Sequence, residues 1–249
     1  MAFVHFARSR VDLAVLETGL GGRLDATNVS RPILSIITSI SLDHMHLLGP
    51  TVARIAAEKA GIIKRGCPVI SAAVQPSARR VIRETARRRR APLVELGREF
   101  QAEHLPDAGG DPLVPGKVRV AFRDGDRQVF PLGMPGSHQA VNAAIAVVAA
   151  RLLDARGFAV DDRAVHRGLA AVRMPARIEC LSRKPLIVLD AAHNVASMES
   201  LVATLASAVE SHRPAVLLFA ASADKQLDEM LTTARGCFDH VVQIGRAHV

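Results

Sequence analysis

Short apolar runs rich in β-branched residues alternate with helix-patterned segments along most of this 249-residue chain. The runs at residues 11–16, 33–40 and 68–74 are each followed by a turn or a helical pattern. Strands that alternate with helices favour parallel sheets. Each helical crossover returns the chain to the end of the sheet where the previous strand began, so the next strand runs in the same direction. The sequence therefore predicts an α/β fold built on a doubly wound, mostly parallel sheet.

The first run leads into a glycine-rich segment at residues 16–29, LETGLGGRLDATNV. Glu17 falls at the predicted carboxyl end of a strand, the edge at which open α/β sheets bind ligands. A carboxylate there can hold Mg²⁺, and Gly21 and Gly22 allow backbone amides to approach a phosphate closely. A purely structural glycine-rich turn is the alternative interpretation.

Polar residues also follow the second apolar run and end the next predicted helix. Asp43 and His44 are plausible metal ligands, although a structural hydrogen-bonding pair is an equally simple interpretation. Thr51 is expected to cap a helix that runs to about Ala60, with Gly61 ending it in the left-handed conformation. Lys59 lies in its last turn, where a cation complements the helix dipole.

Residues 97–134 interrupt the alternation with a predicted β insertion. Two apolar runs flank RDGDR, a pattern typical of an antiparallel hairpin closed at Asp124 and Gly125. Ser137 is then expected to cap a long alanine-rich helix that ends near Gly157.

Three hydrogen-bonding side chains lie in the first turns of that helix, namely His138, Gln139 and Asn142. Such groups suit a purine edge or a phosphate, and a capping network is the competing interpretation. After a proline-containing linker at residues 174–177 the strand and helix pattern resumes, with Asp190 and His193 beyond the next strand. This part is predicted to be half of a Rossmann-like domain.

The amino-acid composition argues against several classes of protein. The formal charge of +8 favours anionic partners, but the chain has no Trp or Tyr, which argues against nucleic-acid binding by base stacking. The longest apolar run, residues 140–150, is too short to cross a membrane, and no CxxC spacing suggests a zinc site. We expect an intracellular, cytoplasmic protein.

Six motifs occur together in a fixed order, and they cover most of the chain. They are LETGLGGRLDATNV, ITSISLDHMHLLG, IAAEKAGIIKRG, GSHQAVNAA, MPARIE and LDAAHN. In these motifs the chain resembles the folylpolyglutamate synthase/dihydrofolate synthase family of the Mur ligase superfamily. The resemblance implies a Mur-ligase-like ATPase domain with a β insertion, followed by a truncated Rossmann-like C-terminal domain.

The resemblance also implies a reaction, namely ATP-dependent addition of L-glutamate to dihydropteroate or to the γ-carboxylate of a reduced folate, through an acyl phosphate. Such chemistry depends on positioning and charge neutralisation. The implied cofactors are ATP and Mg²⁺, and the implied state is a monomer that binds neither nucleic acid nor membrane. A non-catalytic nucleotide- or folate-binding fragment is the alternative, and a dinucleotide oxidoreductase fits less well because GLGGR is not G-x-G-x-x-G.

Residue roles follow from motif position. The resemblance implies metal binding by Glu17, His44 and, if carbamylated, Lys59. It implies contacts to ATP by six residues, namely Gly21, Gly22, His138, Gln139, Asn142 and Arg177. It implies catalytic roles for Lys59, Asp190 and His193, of which Asp190 and His193 would face the phosphate and the incoming glutamate.

The chain departs from the family pattern at two glycine positions and in one motif. Ala176 and Ala191 stand where the family has glycine, which an alanine tolerates at negative φ. No GTNGKGS-like phosphate-binding loop occurs in the chain, so we expect these 249 residues alone to lack ligase activity.

We interpret residues 1–173 as a partial ATP-binding domain and residues 174–243 as a partial glutamate-ligase domain. The last six residues, IGRAHV at 244–249, can be encoded by the start of a common sequencing adapter, so we expect them to be an artefact.

Overall fold

A computed structural model describes residues 1–222 and 225–247 of the chain. In this part the α-helices are α1 (Ala2–Ser9), α2 (Met45–Leu48), α3 (Val52–Ala60), α4 (Pro76–Arg89), α5 (Ser137–Asp154), α6 (Asp162–Ala171), α7 (Val195–Ser211) and α8 (Leu227–Ala234). The strands are β1 (Ser35–Ile37), β2 (Val69–Ser71), β3 (Leu93–Glu95), β4 (Phe100–Leu105), β5 (Lys117–Phe122), β6 (Arg127–Pro131), β7 (Glu179–Arg183), β8 (Leu186–Leu189), β9 (Val216–Ser222) and β10 (His240–Ala247).

The first sheet is parallel and has the order β1-β2-β3, with α3 and α4 in the connections. Its central strand is buried on both faces. Val69 packs with the apolar residues of α3 and α4, whereas its neighbour Ile70 packs with α5 and the β insertion. Burial of both faces is expected of a parallel strand between helical layers, and it confirms the predicted α/β architecture.

The predicted β insertion is also confirmed. Strands β4, β5 and β6 form an antiparallel sheet, and Gly125 has a φ of 94° in the turn of the β5-β6 hairpin. Val118, Val120 and Phe130 are fully buried against the alanine-rich face of α5. The insertion therefore shares one core with the helix that carries His138.

The C-terminal part has its own apolar core around Met198, Phe219 and Met230. Strands β7 and β8 form an antiparallel hairpin, and β9 pairs with β10 in parallel, with α7 and α8 packed together in the same core. Leu113, from the loop of the β insertion, is buried in this same core. The insertion thus contacts both parts of the chain.

The strand predicted at residues 11–16 is wrong. The segment has no regular secondary structure and pairs with no described strand, and the side chain of Val15 is 90% exposed. Among the described residues β1 pairs only with β2, so residues 11–16 lack the hydrogen-bonding partner that a strand needs. Glu17 consequently does not follow a strand.

Two predicted helix ends also differ from the structure. Gly61 has φ −59° and ψ −18°, so it is right-handed, and Thr51 caps the start of α3 as expected. Ser137 is the first residue of α5, and the N-cap position belongs to Gly136. No helix in the described ranges has the length and apolarity to cross a membrane.

Candidate active site

The glycine-rich segment is held together by one carboxylate, that of Asp25. One of its oxygens accepts hydrogen bonds from the amides of Gly19 and Leu20 at 2.8 and 3.1 Å. The other oxygen accepts from the amide and the hydroxyl of Thr27 at 2.9 and 2.6 Å. These hydrogen bonds, led by the one from the Thr27 hydroxyl, lower the pKa of Asp25 to about 2. The carboxylate therefore closes the loop around itself.

This loop packs on the C-terminal end of α3. The amide of Arg23 donates to the carbonyl of Glu58 at 2.8 Å, and its guanidinium forms an ion pair with the Glu58 carboxylate at 3.0 Å. The side-chain amide of Asn28 donates to the Gly61 carbonyl at 3.3 Å. The segment with Glu17 and the helix with Lys59, which the sequence presents separately, are therefore neighbours.

Gly21 and Gly22 are buried in this contact. A Cβ on Gly21 would lie 2.9 Å from a methyl group of Leu48, and one on Gly22 would lie 2.8 Å from a methyl group of Ile62. Close packing against α2 and the end of α3 already requires glycine at both positions. Their contact with ATP stays a prediction.

The side chains predicted to bind metal do not form a closed ligand set. Glu17 is exposed and Lys59 is half-buried, and neither forms a side-chain hydrogen bond or ion pair with the residues that the structure describes. The described residues also contain no cluster of three or more His, Cys, Asp or Glu side chains suited to a metal ion. The metal roles of Glu17, His44 and Lys59 stay predictions.

Asp43, in the N-terminal part of the chain, makes polar contacts with residues of the C-terminal part. Its Oδ1 accepts from Lys225 Nζ at 2.8 Å, and its Oδ2 accepts from Asn194 Nδ2 at 3.0 Å. His193 Nε2 lies 3.3 Å from Oδ2, and Lys225 Nζ lies 3.5 Å from His44 Nε2. The structure therefore brings His44 and His193 to one carboxylate, although the sequence predicts them in different domains.

The electrostatics of this cluster favour the ionised acid. Partial burial by itself would raise the pKa of Asp43, but the hydrogen bonds from Lys225 and Asn194, with the charges of Lys225 and His44, lower it to about 2. The Lys225 side chain is only 10% exposed, so its charge is largely withdrawn from water. A partly buried ammonium needs such a partner.

A chain of hydrogen bonds runs along the first turns of α5. Asn142 Nδ2 donates to Gln139 Oε1 at 3.2 Å, and Gln139 Nε2 lies 3.1 Å from His138 Nε2. The buried Nδ1 of His138 has no partner among the described residues. The imidazole lies against Gly136, where a Cβ would come within 2.6 Å of the ring, so only glycine fits before it.

Gln139 and Asn142 also border a small cleft of about 150 Å³. Its other walls are largely apolar: Leu132, Gly133, Met134, Ala143, Ala146, Leu169 and Val172. Apolar walls with a few convergent amides are typical of a site for a heterocyclic ligand. The size fits one ring system, not a whole nucleotide.

The charges of Arg177, in the linker, and of Asp190, after β8, act on His138 at the start of α5. Burial lowers the pKa of His138, the charge of Asp190 raises it, and the charges of Arg177 and His104 lower it further. Asp190 is fixed by hydrogen bonds from the amides of Ile178 and Ala192, both at 2.8 Å. The predicted ATP-contacting residues His138 of α5 and Arg177 of the linker therefore lie within electrostatic range of each other.

Both neighbours of Arg177 have left-handed backbone angles, with φ of 55° at Ala176 and 49° at Ile178. Such angles are strained for residues with a Cβ. The tolerance expected at negative φ therefore does not apply to Ala176, whereas Ala191 is not among the described residues with positive φ.

Sequence reasoning missed Lys225 and gave Asn194 and Asp43 no definite role. Asp43 and Asn194 were recognisable only as polar residues beyond a strand; the structure shows that Asn194 caps α7 with a full capping box. Nothing around Lys225 indicates that it reaches Asp43, since the two residues lie 182 positions apart.

Comparison with known proteins shows to which family the chain belongs. The profile described as "Mur ligase middle domain" matches residues 1–150, and the one described as "Mur ligase, glutamate ligase domain" matches residues 176–248. The chain belongs to the folylpolyglutamate synthase family of the Mur ligase superfamily. The domain boundary predicted at 173/174 falls between the two matched ranges.

Relatives and solved structures of this family are similar over nearly the whole chain. The dihydrofolate synthase/folylpolyglutamate synthase of Bacillus subtilis is 39% identical over 92% of this chain and 53% of the relative. A Mycobacterium tuberculosis folylpolyglutamate synthase complexed with ADP and AMPPCP has a TM-score of 0.81 at 32% identity, over 97% of this chain and 54% of that one. An FPGS-AMPPCP-folate complex has a TM-score of 0.86 at 31% identity, over 98% and 59%. The chain thus spans little more than half the length of these proteins.

Proposed function

We propose that this chain is part of an ATP-dependent ligase that adds L-glutamate to dihydropteroate, to the γ-carboxylate of a reduced folate, or to both. The observation that carries the proposal is that the charges of Arg177 and Asp190 act on His138 at the start of α5, within a chain that matches both Mur ligase domains. The names of its relatives, which combine dihydrofolate synthase with folylpolyglutamate synthase, favour these acceptors.

The residues on the α5 side suit the nucleotide. Gln139 and Asn142 present amides to a small apolar cleft, and the buried Nδ1 of His138 has no partner in the described ranges. An unpartnered buried nitrogen is costly, so a ligand contact there would satisfy it. Arg177 would supply the positive charge that the phosphates of ATP require.

The side chains of Glu17 and His44 are of the types that bind a divalent cation. Glu17 is exposed without an ion-pair partner among the described residues, and an imidazole is available at His44. We propose that these residues, with Lys59 if it is carbamylated, would hold Mg²⁺. When bound, the ion would neutralise phosphate charge during acyl transfer.

In this proposal, the residues of the chain contribute to the reaction by positioning its substrates. Asp190 is fixed by two backbone amides, and His193 is held by the Ala191 carbonyl at 3.0 Å and by Asp43. Polar groups fixed in this way can orient the amine of glutamate toward an activated carboxylate and protect it from water. A cytoplasmic location and a monomeric state stay predictions.

The proposal is tested with a chimera, because the chain spans about half of its relatives. The chain replaces its aligned portion in the Bacillus subtilis relative, and ADP formation is followed with and without glutamate, using dihydropteroate and tetrahydrofolate in turn. Glutamate-dependent ADP formation with either acceptor is the expected result. Arg177→Gln is expected to abolish it, whereas Arg119→Gln, in an exposed ion pair with Glu103, serves as the matched control.

The alternative is a non-catalytic nucleotide- or folate-binding fragment. A chimera that is folded and binds AMPPCP but forms no ADP with either acceptor would favour this alternative. For the 249-residue chain alone we expect no ADP release above background.

A further inference from the structure

The hydrogen bonds of Asp43 differ from those of an ordinary surface ion pair. Both carboxylate oxygens accept a hydrogen bond, one from Asn194 and one from Lys225, and His193 lies 3.3 Å away; these three side chains of the second part of the chain come from two separate places, the start of α7 and the segment before α8. Exposed pairs contribute little to stability, but a largely buried ammonium and an acid with several donors restrict each other's position. The Asp43 side chain is 19% exposed and that of Lys225 is 10% exposed.

Asn194 connects this carboxylate to a helix. Its Oδ1 accepts from the amide of Ser197 at 2.9 Å and so caps α7, while its Nδ2 donates to Asp43. The hydroxyl of Ser197 accepts in turn from the amides of His193 and Asn194 at 3.0 Å. One carboxylate in the first part of the chain therefore fixes the first turn of a helix in the second part.

We propose that Asp43 is a positioning residue of the ligase, which through Asn194 and Lys225 holds His193 in register with His44. The inference rests on the proposed function, since it gives these residues a role in the same reaction. Lys225 belongs to the site in this scheme as the counter-charge of Asp43. Asp43 itself acts on the reaction only through the residues that it holds.

Another ion pair between the two parts of the chain provides a matched control. Arg183 in β7 lies 2.6 Å from Asp111 in the loop of the β insertion, but both side chains are exposed, and neither contacts the start of α7. Asp111→Ala removes a connection between the same two parts without touching the proposed site.

The first test measures geometry on the purified chain. Hydrogen exchange of the Ser197 amide is expected to be about tenfold faster in Asp43→Ala and in Lys225→Met than in the unchanged chain, because the first turn of α7 opens more often. The double variant is expected to exchange no faster than Asp43→Ala alone, since the two residues act through one contact. Asp111→Ala is expected to leave this amide unchanged. Equal exchange in all five proteins, the unchanged chain and the four variants, would overturn the inference, and if Asp43→Ala does not fold, Lys225→Met decides.

The second test separates positioning from general stability. In the chimera, Lys225→Met is expected to lower glutamate-dependent turnover about a hundredfold while the affinity for AMPPCP changes less than twofold, because misplacement affects attack and not nucleotide binding. Equal loss of both would indicate a merely structural contact and contradict the inference. Loss of ligase activity in the unmodified chimera, with the exchange results as expected, would instead reject the proposed function and leave the geometry of Asp43 intact.

Discussion

Gly61 leaves the space that Arg23 occupies. A Cβ at Gly61 would lie 2.4 Å from the Cβ of Arg23 and 2.5 Å from its Cα, well inside contact distance. This contact, with the Arg23–Glu58 ion pair, joins the glycine-rich segment, which contains Glu17, to α3, which contains Lys59.

Gly61→Ala is therefore expected to destabilise the chain by about 1–3 kcal/mol, because the loop must move away from the helix. The matched control is Gly168→Ala in α6, where no atom lies within 4 Å of an added Cβ. That substitution should stabilise by about 0.5–1 kcal/mol through helix propensity. Urea unfolding of both variants checks the prediction, and destabilisation of similar size in the two would contradict it.

The two alanines that replace family glycines should respond in opposite directions to glycine. Ala176 has a φ of 55°, so Ala176→Gly relieves backbone strain and is expected to stabilise by about 1 kcal/mol. Ala191 is not among the positive-φ residues, so Ala191→Gly should destabilise by about 0.5–1 kcal/mol through the flexibility of the unfolded chain. Thermal unfolding of the pair is the measurement, and a shift of the same sign in both variants would disprove the argument.

Protonation of Asp25 should open the glycine-rich segment. Its pKa is about 2 in the folded chain, below the ordinary 3.8, so its stabilising contribution is fully present above pH 3.8 and is lost as the pH falls through about 2. A carbon-detected NMR titration should find this midpoint. Thr27→Val removes the largest cause of the shift and should move the midpoint up toward 3.8, whereas Thr85→Val on α4 should not move it.

The pKa of His138 reports whether the linker lies against α5 in solution. Burial lowers this pKa, and Asp190 and Arg177 act on it with opposite signs. Arg177→Gln should therefore raise the pKa and Asp190→Asn should lower it, as measured by NMR of the imidazole, with Arg119→Gln as the control. No response to either substitution would show that the linker residues lie away from His138.

His138 also affects stability at acidic pH. Because its pKa is below 6.5 in the folded chain, the unfolded chain takes up a proton more readily as the pH falls through 6.5. The free energy of unfolding should decrease over this range in the unchanged chain. His138→Gln should remove that part of the pH dependence.

Local patterns in the sequence predict local structure well here. The cap at Thr51, the hairpin turn at Gly125 and the alternation of strands and helices all depend on residues close together in the chain, and all are confirmed. Each relies on backbone hydrogen bonds or angles that a few neighbouring residues decide.

Contacts between residues far apart in the chain could not be predicted from these local patterns. An apolar run such as residues 11–16 shows a tendency to be buried but not which strand will pair with it, and in the described chain none does. The contact of Lys225 with Asp43 likewise depends on how two separately folded cores meet, which no local pattern records. Family resemblance supplied His44, Arg177 and Asp190 as candidates, but not the carboxylate between His44 and His193.

The residues on either side of Arg177 have left-handed backbone angles. These neighbours, and not the side chain of Arg177, determine where residue 177 lies. The backbone at 176 and 178 is fixed by Glu179 and Asp190, whose carboxylates accept hydrogen bonds from the Ala176 and Ile178 amides. The Cα of residue 177 would therefore keep its place whatever side chain it bears. Lysine, glutamine or a spectroscopic label could be exchanged there as interchangeable probes, each facing α5 from the same point of the chain.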